Sequence, residues 1–503
     1  MNIRALPLFV YMLFSVIILM LVPAGFAALT GDLEAASVFG FNALVLLTIT
    51  ITISLAVVNR KPTSTGRLHL ITLLMAYLFL PLVCALPFSN LTPSISISQA
   101  YFEMMSCFTT TGASLFDNPE DLSDTLHLWR SIVAWFGGYV TLVAALAIME
   151  PLSLGGFEIR ANSARSEKYR KITPHGKPIS ASDRIIRAVL QILPIYVGLT
   201  AVLALLLMIL GDRGFVAVLH AMAIISTSGI SPVGGLEQSQ SGFWGEAVIF
   251  CFLFAALSHR LFIKRKGAAL GDVLEDPELR LGLTIVLLVS TILVVFHFAG
   301  VSDENVVQSW NRTFNAWWGG VFTTLSFLTT TGFVSDQWAV AKVWANLDNT
   351  GLILLCLALM GGGIATTAGG IKLLRVYVLY KHGERELARL VHPSSVAGFG
   401  RDARYIRREG AYITWMFVML FVLSIAAISL ALSLCGLEFE SAFVFAIASL
   451  SNTGPLTSAF GGELESYREL SDNARMYLDI SMIIGRMEIL AVVALLNTSL
   501  WRG

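Results

Sequence analysis

Four short stretches share one pattern: TTTGAS from Thr109, STSGIS from Ser226, TTTGFV from Thr329 and SNTGP from Ser451. Aligned on Gly112, Gly229, Gly332 and Gly454, each carries a hydroxyl one residue earlier (Thr111, Ser228, Thr331, Thr453). A second hydroxyl stands three residues earlier (Thr109, Ser226, Thr329, Ser451), with Thr110, Thr227, Thr330 or Asn452 between them. A dehydrated cation needs oxygen ligands in place of its water, and rings of backbone carbonyls supply them in selectivity filters. Glycine lets successive carbonyls turn toward one axis without steric cost. The compact hydroxyls can brace such a strand or add ligands. One copy alone reads as a loop or a helix cap; four in register read as an ion site. The fourth departs most from the pattern, with Asn452 and Pro455.

A second stretch, MGGGIATTAGGIK from Met360 to Lys372, places Gly361, Gly362, Gly363, Thr366, Thr367, Gly369 and Gly370 inside an apolar run. A helix broken at membrane depth marks a transport site. Glycines before a lysine also suggest a phosphate loop. That pattern needs the lysine directly after glycine and then Ser or Thr, and Ile371 intervenes before Lys372. A simple packing kink is the bland alternative. A third feature is Arg486 in IIGRMEI, within the last apolar run. A charge there costs roughly 2.5–3.5 kcal/mol on insertion scales. It either faces a pore and opposes cations, or pairs with Glu488, Asp479 or a carbonyl of a neighbouring helix.

To act on one ion, the four stretches must be gathered by the elements around them. The chain has 503 residues, 55% hydrophobic and 14% charged, where soluble domains are about 25% charged. Runs near the roughly 20 apolar residues of a spanning helix occupy 5–29, 37–58, 68–88, 127–150, 184–211, 243–263, 281–300, 349–380, 410–435 and 476–501. An all-α polytopic membrane protein follows, and a soluble enzyme is excluded. Before each motif lies an apolar piece too short to cross, which fits a re-entrant helix. It carries a small residue near its start (Ala100, Ala217, Gly320, Ala442) and a large apolar one near its end (Phe108, Ile225, Leu328, Leu450). The chain thus reads as a two-helix hairpin over 1–66, then four span–short helix–loop–span units. These cover 67–160, 161–275, 276–395 and 396–503, the third with its second span broken. Four such units can surround a pseudo-fourfold axis. Their short helices would aim negative C-terminal ends at its centre, favouring a cation.

With the N-terminus inside, Arg60, Lys61, Arg67 and the basic clusters over 160–187, 260–280 and 372–408 fall on the inner face, with most of the 34 Lys and Arg. The positive-inside rule then predicts cytoplasmic termini and all four motifs on the outer half. The outer segments are acidic (Asp117, Glu120, Asp121, Asp124; Glu463, Glu465, Glu469, Asp472), which raises local cation concentration. The first 28 residues could be a signal peptide, but their apolar run is long enough for an uncleaved first helix. The basic clusters serve topology first; as the longest inner segments they are also where a cytosolic partner would sit.

The set TTTGAS, STSGIS, TTTGFV and SNTGP resembles the four pore loops of the Trk/Ktr/HKT potassium transporter superfamily, and the extra hairpin makes the bacterial Trk membrane subunits the nearest match. The resemblance spans nearly the whole chain. It implies M1–pore helix–filter–M2 repeats, with a filter of Thr110, Thr111, Gly112, Thr227, Ser228, Gly229, Thr330, Thr331, Gly332, Asn452, Thr453 and Gly454 binding potassium. It implies a gate formed by the 361–370 loop and Arg486. It further implies potassium uptake across a bacterial inner membrane, a homodimer, and a cytosolic nucleotide-binding regulatory subunit of the RCK (TrkA-like) type. A serine at the first filter glycine would suggest sodium tolerance, so Gly112 favours potassium. A proton- or sodium-coupled cation symporter is the alternative. Neither a nucleic-acid partner nor a cofactor is expected. The eight histidines lack metal-ligand spacing, no acid–base constellation of an enzyme appears, and His220 reads as packed. Cys84, Cys107, Cys251, Cys356 and Cys435 are scattered and read as small buried hydrophobes.

Overall fold

The computed structural model describes residues 8–57, 66–152, 154–157, 181–258, 276–300, 310–345, 350–391, 408–461 and 464–496. Much of the basic segments used above, together with Arg4, Arg60, Lys61, Glu463 and Arg502, lies outside these residues. Helices α1 (Leu8–Thr30) and α2 (Leu33–Val57) form the expected hairpin, turning at Gly31 with φ +85°. They are apolar on all sides, and Leu21, Leu44 and Leu55 remain exposed, as suits helices facing lipid.

Four units follow. The first has α3 (Gly66–Leu91), the short α4 (Ile97–Phe108) and α5 (Asp124–Ala144), which runs on into a π-helical turn at Ala145–Met149. The second has α6 (Ala181–Ile209), α7 (Gly214–Ser226) and α8 (Gly242–Leu253). In the third, α9 (Pro277–Gly300) leads to α10 (Trp310–Leu328), α11 (Trp338–Ala345), α12 (Thr350–Met360) and α13 (Leu373–Val391). The fourth comprises α14 (Arg408–Leu434), α15 (Phe439–Leu450), α16 (Leu456–Phe460), α17 (Asp472–Met487) and α18 (Ile489–Leu496).

The packing is cyclic. Each short helix (α4, α7, α10, α15) packs between the preceding and following helices of its own unit. The following helix of each unit also packs against the short helix of the next: α5 on α7, α8 on α10, α12 on α15 and α17 on α4. The last contact closes the ring. α5 is buried along nearly its whole length, while α1, α2, α6 and α14 keep an exposed apolar face. Seven described helices are long and apolar enough to cross a membrane.

One expected span is broken where the sequence places the break, and two others differ from expectation. The 349–380 run is split at Gly361–Lys372, as the glycines predict, into helices of 11 and 19 residues. The 243–263 run is helical only to Leu253, closed by a 3-10 turn to Ala256. The 476–501 run is not continuous: Glu488, at φ +64°, separates α17 from α18. Of the cysteines expected inside, Cys84 and Cys107 are buried, whereas Cys251 and Cys356 are exposed.

Glycines permit the closest approaches. A Cβ on Gly137 of α5 would overlap the Phe108 carbonyl at the end of α4, and one on Gly485 of α17 would overlap the Leu450 carbonyl at the end of α15. Backbone therefore meets backbone where the short helices stop. Gly137→Ala is expected to destabilise the fold by about 3 kcal/mol through overpacking, read as a lower melting temperature in detergent. Gly25→Ala, with nothing within 4 Å, should leave the melting temperature unchanged or raise it.

Candidate functional site

Each short helix ends in the same backbone figure. Thr110, Thr227, Thr330 and Asn452 adopt left-handed φ of 51°, 54°, 56° and 53°. Their N–H groups donate to Cys107, Ile224, Phe327 and Ser449, three residues back. The next N–H groups, of Thr111, Ser228, Thr331 and Thr453, donate five back, to Ser106, Ala223, Ser326 and Ala448. That pair of bonds is a Schellman cap, in which the left-handed position is normally glycine. A non-glycine residue there costs on the order of 1–3 kcal/mol, so the side chain must offset the strain.

Three of the four side chains reach neighbouring elements, while Thr227 Oγ1 donates to the adjacent Ser226 carbonyl at 2.7 Å. Thr330 Oγ1 accepts the Gly369 N–H at 2.7 Å. Thr110 Oγ1 accepts from Arg486, and Asn452 Nδ2 donates to Thr111 Oγ1 at 3.0 Å and to the Met482 carbonyl at 3.1 Å. The flanking hydroxyls pair across it in all four copies: Thr109 with Thr111 (2.8 Å), Ser226 with Ser228 (3.1 Å), Thr329 with Thr331 (3.1 Å) and Ser451 with Thr453 (3.2 Å). The repeated spacing of hydroxyls is therefore a brace for the loops.

The four glycines meet in chain order. A Cβ on Gly112 would overlap the Ser228 carbonyl, one on Gly229 the Thr331 carbonyl, one on Gly454 the backbone of Gly112 and Ala113, and one on Gly332 would lie 2.9 Å from Pro455. The loops thus form a closed ring in which backbone meets backbone at three junctions and backbone meets Pro455 at the fourth. Outside the ring, the chain leaving each loop is anchored to its own or a neighbouring helix. Glu103 of α4 pairs with Arg130 at 2.6 Å and accepts the Leu115 N–H at 2.9 Å. His220 of α7 meets Ser231 at 2.9 Å, so it is packed as expected. Glu246 of α8 accepts from Trp318, Ser335 and the Asp336 N–H at 2.9, 2.8 and 2.7 Å.

Gly361–Lys372 lies against the ring. Thr367 Oγ1 donates to the Ile225 carbonyl at 3.4 Å, and a Cβ on Gly369 would overlap the Ser451 carbonyl. The loop is held from beneath by Gly363 N–H to Ala256 (3.0 Å) and Ile364 N–H to Glu278 (3.1 Å). Arg486 bridges the two layers. Its Nε donates to the Thr109 carbonyl at 2.6 Å, and its terminal nitrogens reach Thr110 and the Thr367 carbonyl. Neither Glu488 nor Asp479 pairs with it: Glu488 pairs with Arg375 at 2.8 Å. Of the alternatives for Arg486, neighbouring carbonyls describe its contacts. Below it lies a cavity of about 30 Å³, lined among others by Ala145, Ala365, Lys372, Gly485 and Glu488, room for a water-sized occupant.

All twelve residues expected in the ion site, and the loop and Arg486 expected to gate it, are therefore gathered in one place. Glu103, Arg130, Glu246, Arg375, Glu278 and Pro455 belong to the same assembly and had not been singled out as site residues. Glu103 carried a signal: a charge on a short apolar helix, nine residues before the motif glycine, where the second copy has His220.

The chain is similar to known proteins over most of its length. A family model described as TrkH, cation transport protein, matches residues 38–256 and 279–500. The Trk system potassium uptake protein TrkH of Escherichia coli K12 is 30% identical over 431 residues, covering 84% of this chain and 83% of that protein. TrkI of Halomonas elongata is 28% identical over 470 residues, covering 92% and 90%. The crystal structure of the potassium transporter TrkH from Vibrio parahaemolyticus superposes with a TM-score of 0.79 at 25% identity, over 100% of both chains.

Breaking the buried Glu103–Arg130 pair leaves one charge unpaired, so Glu103→Ala is expected to cost about 3–5 kcal/mol. Glu103→Gln with Arg130→Met should recover much of that loss. Thermal melts of the single and double variants in detergent check both expectations.

Proposed function

Because the chain belongs to the TrkH family of cation transport proteins, we propose that it takes up potassium through a pore on the axis of the four-loop ring. Its relatives are potassium transporters of the Trk system, not enzymes. In this reading Thr110–Gly112, Thr227–Gly229, Thr330–Gly332 and Asn452–Gly454 form the ion site, offering backbone carbonyl oxygens to a dehydrated potassium ion from all but Gly454, whose carbonyl is bonded to Tyr467 and Thr457. The C-terminal ends of α4, α7, α10 and α15 add negative potential at the same point. The four units and the N-terminal hairpin, over 67–160, 161–275, 276–395, 396–503 and 1–66, are then one pore and its flank.

The observation that carries the reading is the placement of Arg486. Its guanidinium occupies the carbonyls of Thr109 and Thr367, so a fixed cation stands where a leaving ion would emerge. Charge repulsion and the loss of those oxygens both oppose passage. Opening requires the 361–370 loop and Arg486 to part from the ring. The helix that leaves the loop, α13, runs to Val391 and so joins the gate to the basic segment beyond. There a cytosolic nucleotide-binding regulatory subunit would act, on a homodimer in a bacterial inner membrane with both termini cytoplasmic.

Purified protein in liposomes under separate potassium, sodium and proton gradients tests this. A reversal potential that follows potassium alone is expected; one that follows sodium or protons as well would favour the coupled symporter. Arg486→Ala should raise basal potassium flux by about tenfold, a barrier lower by ~1.4 kcal/mol. Flux unchanged in that variant would remove Arg486 from the pore.

A further inference from the structure

The fourth loop is unlike the other three, and the difference falls on the axis. Gly112, Gly229 and Gly332 turn with φ of +75°, +65° and +82°, whereas Gly454 is absent from the positive-φ residues. Both of its backbone groups are engaged: the N–H donates to the Thr111 carbonyl at 2.6 Å, and the carbonyl accepts from Tyr467 at 3.2 Å and Thr457 at 3.1 Å. Pro455, at φ −61° and ψ −7°, then starts α16.

The proline ring reaches the other three loops. A Cβ on Gly332 would lie 2.9 Å from Pro455 Cβ and Cγ, one on Gly229 2.9 Å from Cγ, and one on Gly112 3.5 Å from Cδ. A side chain of the fourth loop that comes near the glycines of the other three lies at the inner edge of the ring. Pro455 is half-buried while its neighbours Asn452, Thr453, Gly454 and Leu456 are buried, so one face of the proline looks outward. Tyr467, which holds the Gly454 carbonyl, is itself fixed, its ring 4.9 Å from Phe445 and 5.7 Å from Phe102.

We propose that Pro455 is the specificity-determining residue at the outer end of the pore, narrowing it with an apolar ring that offers no ligand. This rests on the pore reading above. In the pore reading, an ion passing the ring of loops meets pyrrolidine carbons on the side of the fourth loop. Water that an ion carries has no polar partner on that side, so a strongly hydrated ion such as sodium loses more there than potassium does. Tyr467 is a positioning residue: its hydroxyl keeps the Gly454 carbonyl turned from the axis and the proline turned toward it.

The test compares sodium with potassium permeability in bi-ionic reversal potentials of the full chain in liposomes. Pro455→Ala removes Cγ and Cδ; it is expected to raise the sodium-to-potassium permeability ratio by about tenfold, the discrimination that a lost methylene or two removes from a fitted site. Tyr467→Phe should shift the ratio in the same direction by a smaller factor. A wild-type ratio in Pro455→Ala overturns the inference. If that variant does not fold, judged by size exclusion, a wild-type ratio in Tyr467→Phe overturns it instead. Absence of potassium flux in the wild-type protein would overturn the pore reading itself, and this inference with it.

Discussion

Four helix ends brought to one point carry negative partial charge that no helix can neutralise for another. Each C-terminus is equivalent to roughly half an elementary charge, and the ring brings together those of α4, α7, α10 and α15. Such a focus needs a cation. In this structure the guanidinium of Arg486 supplies one from the side of the broken helix, bonded to Thr109 and Thr110 at the end of α4. A buried Arg486 and a cation-attracting ring are two sides of one electrostatic condition. In the proposed function, a permeating ion and Arg486 compete for the same oxygens.

The ring and the broken helix act as one unit for a local reason. The left-handed cap positions carry Thr110, Thr330 and Asn452 where glycine would be unstrained. The strain is retained because their side chains reach Arg486, the Gly369 N–H and the Met482 carbonyl. A loop built with glycine at those places would lose its hold on the layer beneath. The hydroxyls on either side pair with one another and so brace the turn.

The motif spacing, the short helices and the split at Met360–Lys372 were legible because each is a local pattern with a local cause. The break at Glu488 was not. Residues 483–496 are apolar apart from Gly485, Arg486 and Glu488, and no proline or turn-forming cluster beside Glu488 marks a break. The turn follows from a distant contact: Glu488 pairs at 2.8 Å with Arg375, whose guanidinium lies 3.6 Å from the Phe417 ring. The carbonyl partners of Arg486 were open among alternatives for the same reason. Sequence spacing shows a nearby Glu488, while the fold turns that carboxylate toward another helix. Glu246 holding the third loop from the second unit is likewise visible only once the units close on each other.

Thallium replaces potassium and scatters anomalously, so its position in crystals of the protein reads the ring directly. The account predicts anomalous peaks on the axis enclosed by Gly112, Gly229 and Gly332, between Pro455 and Arg486, which potassium displaces. A map with bound thallium only elsewhere in the molecule, and an empty ring, would contradict it.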